Sequence, residues 1–189
     1  MTPPVTTIGV AVDVPEPWGS LLTERRLAAG DLVAEYIRAH VTLLTPTEIP
    51  AADLPAVADR LATVAAGYPP FALHLRGTGT FRPVTQVVFV AVAAGIGECE
   101  ELHDAVLDAL RVLPVEPATR FPYHPHVTVG QNVDPAALDA VYADLAGFEA
   151  GFRVDGFTLF EHDEGGRWKP FRDYSLTGIA SRPGGDTRR

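Results

Sequence analysis

A chain of 189 residues and 20.2 kDa is long enough for one sizeable core, or for two small lobes sharing one, and too short for much else. Its 47% apolar and 21% charged residues and mean hydropathy of +0.10 describe an ordinary globular protein, and no run of about 18 apolar residues marks a membrane span. The formal charge of −9 and the single lysine, Lys169, oppose tracking along a long polyanion, because such binding rests on many basic contacts.

The N-terminal "MTPPVTTIGV" has neither a basic n-region nor a long apolar stretch, so export is not expected and the cytoplasm is the default location. Residues 6–14 form a β-rich run ended by Pro15 and Pro17. Apolar residues at helical spacing from Trp18 to Gly30 predict a helix with a glycine stop. "YIRAHVTLL" (36–44) reads as a strand closed by the turn-former "TPTEIP". Residues 51–67 read as a helix with Pro55 in its first turn. Alternation over 71–81 and 85–93 predicts two antiparallel strands joined through Arg82 and Pro83.

A second cycle then begins. Residues 98–113 are amphipathic, with Leu102, Val106, Leu107 and Leu110 on one face. "YHPHVTVG" (123–130) is a strand, and 134–147 a helix with Asp134 as N-cap and Pro135 in its first position. Residues 151–163 and 172–180 read as strands joined across "EGGRWKPF", and 182–189 as a mobile tail. Cys99, the only cysteine, excludes an internal disulfide, and its flanking Glu98, Glu100 and Glu101 disfavour a reactive thiolate.

Laid over each other, the cycles agree: strand, helix, strand bearing His-Val-Thr, helix, strand. The first spans about 6–81 and the second about 85–160, with the last strand left over. The expected fold is α+β: a single domain over 1–181 with bilobal duplicated βαβαβ units, two antiparallel sheets facing a central cleft and helices outside. The repeated word is His40-Val41-Thr42 and His126-Val127-Thr128. A shuffled chain of this composition would contain roughly 0.06 copies, so two at matching places carry information. On a strand the His and Thr share one face and the Val takes the other. Val41 and Val127 are therefore expected in the core, and both polar pairs in the cleft. Two imidazoles can take a proton from an attacking oxygen and give one to a leaving oxygen, while two hydroxyls hold the non-bridging oxygens of a phosphodiester.

"HVTL" and "HVTV", in this strand and helix setting, resemble the paired His-x-Thr/Ser-x motifs of the 2H phosphoesterase superfamily, in particular its bacterial 2′-5′ RNA ligase branch. The likeness covers about residues 6–180. It implies a metal-independent phosphodiesterase without cofactor, acting on 2′,3′-cyclic phosphates of nucleotides or RNA ends, with reverse 2′-5′ ligation as a further activity. It also implies His40 and His126 as the catalytic pair, with His40 protonating the leaving 2′ oxygen and His126 activating water, and Thr42 and Thr128 as phosphate holders. "FPYHPHVTVG" has the family's aromatic and proline before the motif; "YIRAHVTLL" lacks that proline. The acidic charge departs from RNA-processing relatives and puts long RNA in doubt.

Phe81, Arg82, Tyr123, Trp168 and Arg172 are the candidate substrate contacts, aromatics for stacking on a base and arginines for phosphate. Phe121, Phe171, Arg120, Arg167 and Lys169 stand close to them in sequence. His124, two before His126, would make an incomplete metal shell, so no metal is assigned. His74, His103 and His162 read as structural, and "RGTGT" lacks the strand and helix context of a phosphate loop. Two alternatives keep the cleft: a non-catalytic binder of phosphorylated nucleotide or RNA ends, and a phosphodiesterase for small ADP-ribose-type cyclic phosphates. The protein is expected to act as a monomer, with no membrane partner.

Overall fold

The structure is a computed structural model and describes residues 4–113, 121–163 and 167–179. The chain order is β1 (Val5–Asp13), α1 (Trp18–Ala28), β2 (His40–Pro50), α2 (Leu54–Gly67), β3 (Phe71–Thr80), β4 (Val87–Ala94), α3 (Ile96–Leu110), β5 (His126–Gln131), α4 (Pro135–Asp144), β6 (Glu149–Val154), β7 (Gly156–His162) and β8 (Trp168–Ser175). Two four-stranded antiparallel sheets result, ordered β2-β1-β7-β8 and β5-β4-β3-β6. The α+β class, the two sheets and the outer helices are as expected from the sequence. Each motif strand is an edge strand and lies beside the first strand of its own cycle.

The third strands behave differently from the simple repeat. β3, the last strand of the first cycle, pairs with β4 and β6, and so belongs to the sheet that carries the second motif. The place it would have held beside β1 is taken by β7. The sheets therefore do not divide at residue 81. The helices are exchanged as well. α1 connects two strands of the first sheet yet packs on β5, stacks Trp18 on Phe152 of β6, and pairs Arg25 with Asp144 of α4. α3 connects two strands of the second sheet yet packs on β2 and α2. Each sheet is thus covered partly by the other cycle's helix, and the apolar faces close into one continuous core.

Three other boundaries differ from the expected ones. Residues 36–39 are not strand, and β2 instead continues through "TPTEIP" to Pro50, where Ile49 and Pro50 pair with Thr6 and Val5. Prolines are tolerated there because an edge strand has a side on which no ladder N–H is needed. The expected single strand over 151–163 breaks at Asp155. Its carbonyl accepts from Leu176 N at 2.8 Å, and Gly156 lets β7 pass so close to the Tyr174 carbonyl that no Cβ would fit. The chain thereby leaves one sheet and enters the other. β8 starts at Trp168, within the stretch read as a connection, and ends before the expected limit of 180. Residues 182–189 and Arg120 lie outside the described residues. Among those described, no helix is long and apolar enough to cross a membrane.

Candidate active site

The alternation read from the two triplets holds: Val41 and Val127 are completely buried, while His40, Thr42, His126 and Thr128 are only partly so. β2 and β5 approach each other across the seam between the sheets.

His40 is delivered by a segment tied down at several points. Val14 N donates to Ala39 O at 3.0 Å, and Ala39 N donates to Thr23 Oγ1 of α1 at 3.1 Å. One turn further along α1, Arg26 is buried and held by Asp31 at 2.7 Å. In the ladder, Asp13 stands directly opposite His40 and Ala11 opposite Thr42.

The two imidazoles share one hydrogen-bond arrangement. His40 Nδ1 lies 2.7 Å from Arg38 O and His126 Nδ1 lies 2.7 Å from His124 O, in both cases the carbonyl two residues before. A carbonyl can only accept, so Nδ1 carries the hydrogen in each. Nε2, at the other edge of the ring, remains to accept a proton or, once protonated, to give one. Burial pushes the His40 imidazole down to about 4, with the Arg26 guanidinium and His126 acting in the same direction. Burial also lowers His126, and the neighbouring His124 adds to this. Both rings are therefore poised to be neutral in the free protein near pH 7.

His126 sits in an aromatic nest. Phe81 meets it edge-on with ring centroids 5.0 Å apart, Phe89 lies 5.1 Å away, and Phe81 and Phe89 are 4.4 Å from each other. Phe89 can lie flat here because its neighbour across the ladder is Gly79, where an added Cβ would meet the Phe89 ring at 2.5 Å. Gly79→Val is expected to push Phe89 off His126, destabilising the fold by about 1–3 kcal/mol, as over-packing does, and lowering turnover with it. Urea unfolding followed by a rate measurement on the folded variant checks both parts.

A cavity of about 440 Å³ opens beside this nest. Thr42, His126, Phe81 and Tyr123 line it, together with Leu44, Thr45, Val84, Thr85, His103, Leu107, Phe121, Pro122 and His124. Tyr123 donates its hydroxyl to Thr42 O at 2.9 Å, and burial raises the phenol, so it stays a donor. His40 and Thr128 do not line this cavity.

The remaining candidates are not brought to it. Arg82 turns to α4, where it pairs with Asp139 at 2.8 Å. Arg172 is paired in register with Leu159, a core residue, and so points to the helix-covered face. There it bonds Asp59 of α2 at 3.3 Å and lies over Tyr174. Trp168 shares the cleft-side face of its sheet but stands on the far edge strand, packed over Gly9 and 4.9 Å from the His162 ring. The sequence reading missed Phe89 and assigned His103 no part in the site. Phe89 was hidden in an unbroken apolar run, and His103 looked like helix surface because nothing local shows that α3 packs on the other cycle's strand. Among the described residues no three His, Cys, Asp or Glu side chains converge as a metal set. Cys99 is buried, and burial with Glu98 and Glu100 pushes its thiol up to about 12.

Edge strands bearing paired His-x-Thr words bring two imidazoles with matched Nδ1 bonds to one seam, with a cavity beside it. The family model described as "2′-5′ RNA ligase superfamily" matches residues 13–166. A Bacillus cereus (strain ATCC 10987 / NRS 248) protein named as a phosphoesterase is 30% identical over 146 residues, which cover 72% of this chain and 78% of that one. A namesake from Bacillus anthracis (strain A0248) is 29% identical over the same shares. TT0787 of Thermus thermophilus matches the fold with a TM-score of 0.66 at 22% identity, covering 91% of this chain and 98% of that one. E. coli LigT, solved with NADP+, matches with a TM-score of 0.65 at 21% identity, covering 92% and 99%. The chain belongs to the 2′-5′ RNA ligase superfamily, and the family supports a phosphoesterase activity.

Proposed function

We propose that this protein is a metal-independent phosphodiesterase that opens 2′,3′-cyclic phosphates of nucleotides or of RNA ends. The observation that carries the reading is the matched pair of imidazoles, each with Nδ1 tied to a carbonyl and Nε2 left for proton transfer. Water attacks phosphorus, the bond from phosphorus to one ribose oxygen breaks, one Nε2 takes the proton of the water, and the other protonates the departing oxygen. Thr42 and Thr128 hold the non-bridging oxygens, where charge gathers in the transition state. E. coli LigT, whose fold this chain shares, has been solved with 3′-AMP. A nucleoside monophosphate of that kind is what such an opening leaves.

The resemblance to the family implies His40 as the acid and His126 as the base. Burial supports the opposite order. Burial pushes His40 down to about 4, so when the pair takes up one proton that proton goes to His126. His126 is then the donor and His40 the acceptor.

The test is product analysis by ³¹P NMR with adenosine 2′,3′-cyclic phosphate in the presence of EDTA. Formation of a single monophosphate at an undiminished rate is expected; loss of turnover in EDTA, or binding without turnover over a cyclic-phosphate panel, overturns the reading. In the same assay Thr42→Val is expected to lower kcat on the order of 10²-fold, the scale for losing one donor to a developing oxyanion.

A further inference from the structure

Each motif word is followed by the same irregularity in its strand. On β2 the ladder to β1 sets Ala11 opposite Thr42 and then Val10 opposite Leu44, so Leu43 has no counterpart. On β5 the ladder to β4 sets Phe89 opposite Thr128 and then Val88 opposite Gly130, so Val129 has none. Both are β-bulges of one extra residue, placed directly after the threonine. Burial follows the same pattern: alternation holds through His, Val and Thr, and then two consecutive residues turn inward, Leu43 with Leu44 and Val129 with Gly130. The β5 bulge is seated by packing, since a Cβ added at Gly130 would meet Leu138 Cδ2 at 3.0 Å and Val141 Cγ1 at 3.3 Å.

The β2 bulge is held by hydrogen bonds instead. A regular edge strand turns every other carbonyl outward, whereas two successive carbonyls of β2, those of Thr42 and Leu43, are bonded by side chains from outside the sheet. Tyr123 donates its hydroxyl to Thr42 O at 2.9 Å. His103 of α3 lies with Nδ1 2.7 Å from Leu43 O, where the ring nitrogen can only donate. The two rings stack with centroids 3.9 Å apart and 7° between their planes, so each steadies the other. Tyr123 belongs to the segment that leads into His126, and its bond therefore ties the approach of the second word to the threonine of the first.

A threonine side chain is stiff about its first torsion, so the direction of its hydroxyl follows that of its backbone. We infer that His103 and Tyr123 are positioning residues: by bonding the two successive carbonyls at the bulge, they aim the Thr42 hydroxyl at a non-bridging oxygen of the reacting phosphate. The inference rests on the reading of the site as a cyclic phosphodiesterase. Both residues act through Thr42, so the rate lost with either is bounded by the rate lost with the Thr42 hydroxyl itself.

The experiment is a set of variants assayed on adenosine 2′,3′-cyclic phosphate. Tyr123→Phe keeps the ring and removes only the hydroxyl; His103→Leu removes the donor, and His103→Asn puts an amide N–H in the place of Nδ1. Tyr123→Phe and His103→Leu are each expected to lower kcat about 10-fold at unchanged KM, within the roughly 100-fold that misplacement by an ångström costs. His103→Asn is expected to recover most of the rate. In a Thr42→Val background neither change should cost anything further, because the group they aim is gone. Losses that multiply in that background, a raised KM at unchanged kcat, or wild-type rates in both single variants overturn the inference and leave the phosphodiesterase reading standing. Crystal structures of the Tyr123→Phe and His103→Leu proteins separate the converse case. Thr42 displaced from its wild-type place, in a protein that hydrolyses no cyclic phosphate, keeps the positioning role and removes the phosphodiesterase; Thr42 unmoved in both removes the positioning role.

Discussion

His40→Ala and His126→Ala are each expected to lower kcat/KM on a nucleoside 2′,3′-cyclic phosphate by about 10²- to 10⁴-fold, the range for losing a positioned acid or base. The double variant is expected to lose little more than the worse single one, because in the proposed mechanism both imidazoles serve the same bond-making and bond-breaking step. Folding should survive both changes. The burial on these strands belongs to Val41, Leu43, Val127 and Val129, which the substitutions leave in place, and neither histidine is fully buried. Urea midpoints close to the wild-type value, measured with the rates, keep the catalytic effect apart from unfolding. A substrate with a 4-nitrophenolate leaving group assigns the roles. Such a leaving group needs no proton, so the variant lacking the acid recovers most of its rate and the variant lacking the base does not. Recovery in His126→Ala supports the burial-based order; recovery in His40→Ala supports the order implied by family resemblance. Wild-type rates in both single variants would remove the two-histidine mechanism.

The pH profile is the second large effect. In the proposed mechanism one imidazole must be neutral and the other protonated, so kcat/KM of the free enzyme is expected to follow both titrations. His40 is neutral above about 4, and the donor His126 loses its proton below the ordinary histidine value of 6.5. The optimum is expected between these limits. Above it the protonated donor becomes tenfold scarcer per pH unit, giving a loss of about 100-fold two units beyond the fall-off. The two apparent values belong to the coupled pair rather than to either ring alone. A profile that rises through pH 7 to a plateau at pH 9 contradicts this arrangement.

Stability carries the same signature with a sign that can be checked. His40 binds its proton less readily folded, at about 4, than unfolded, near 6.5. The unfolded chain therefore holds more protons between these values, and stability falls as the pH drops from 6.5 towards 4. Circular dichroism across that window separates acid unfolding from the acid limb of the rate.

The legible part of the site was the part written in alternation. A period of two places His and Thr of each triplet on one face and Val on the other, and this needs no knowledge of the partner strand. Asp134 and Pro135 opened α4 as expected, with the Asp134 carboxylate accepting from Ala136 N at 2.8 Å. Gly30 ended α1 through a left-handed backbone. What failed were contacts made across the fold. Arg172 and Arg82 are arginines near aromatics in sequence, yet register turns the first to α2, and Asp139 on a distant helix captures the second.

The exchange of elements between the two sheets was equally invisible. Asp155-Gly156 is a recognisable turn dipeptide, but its local signal is the same whether the next strand returns to its own sheet or crosses to the other. Sequence by itself determined the repeated strand-helix order, the class of fold and the residues of the paired motif, because each depends on spacing within a few residues. Only the tertiary structure decided that β3 and β7 change places, that α1 and α3 cover each other's sheets, and that His103 stands beside Thr42. Those choices rest on which apolar faces pack together, which is settled between segments as much as 155 residues apart, as Thr6 and Glu161 are, and leaves no mark in the short-range pattern of any one of them.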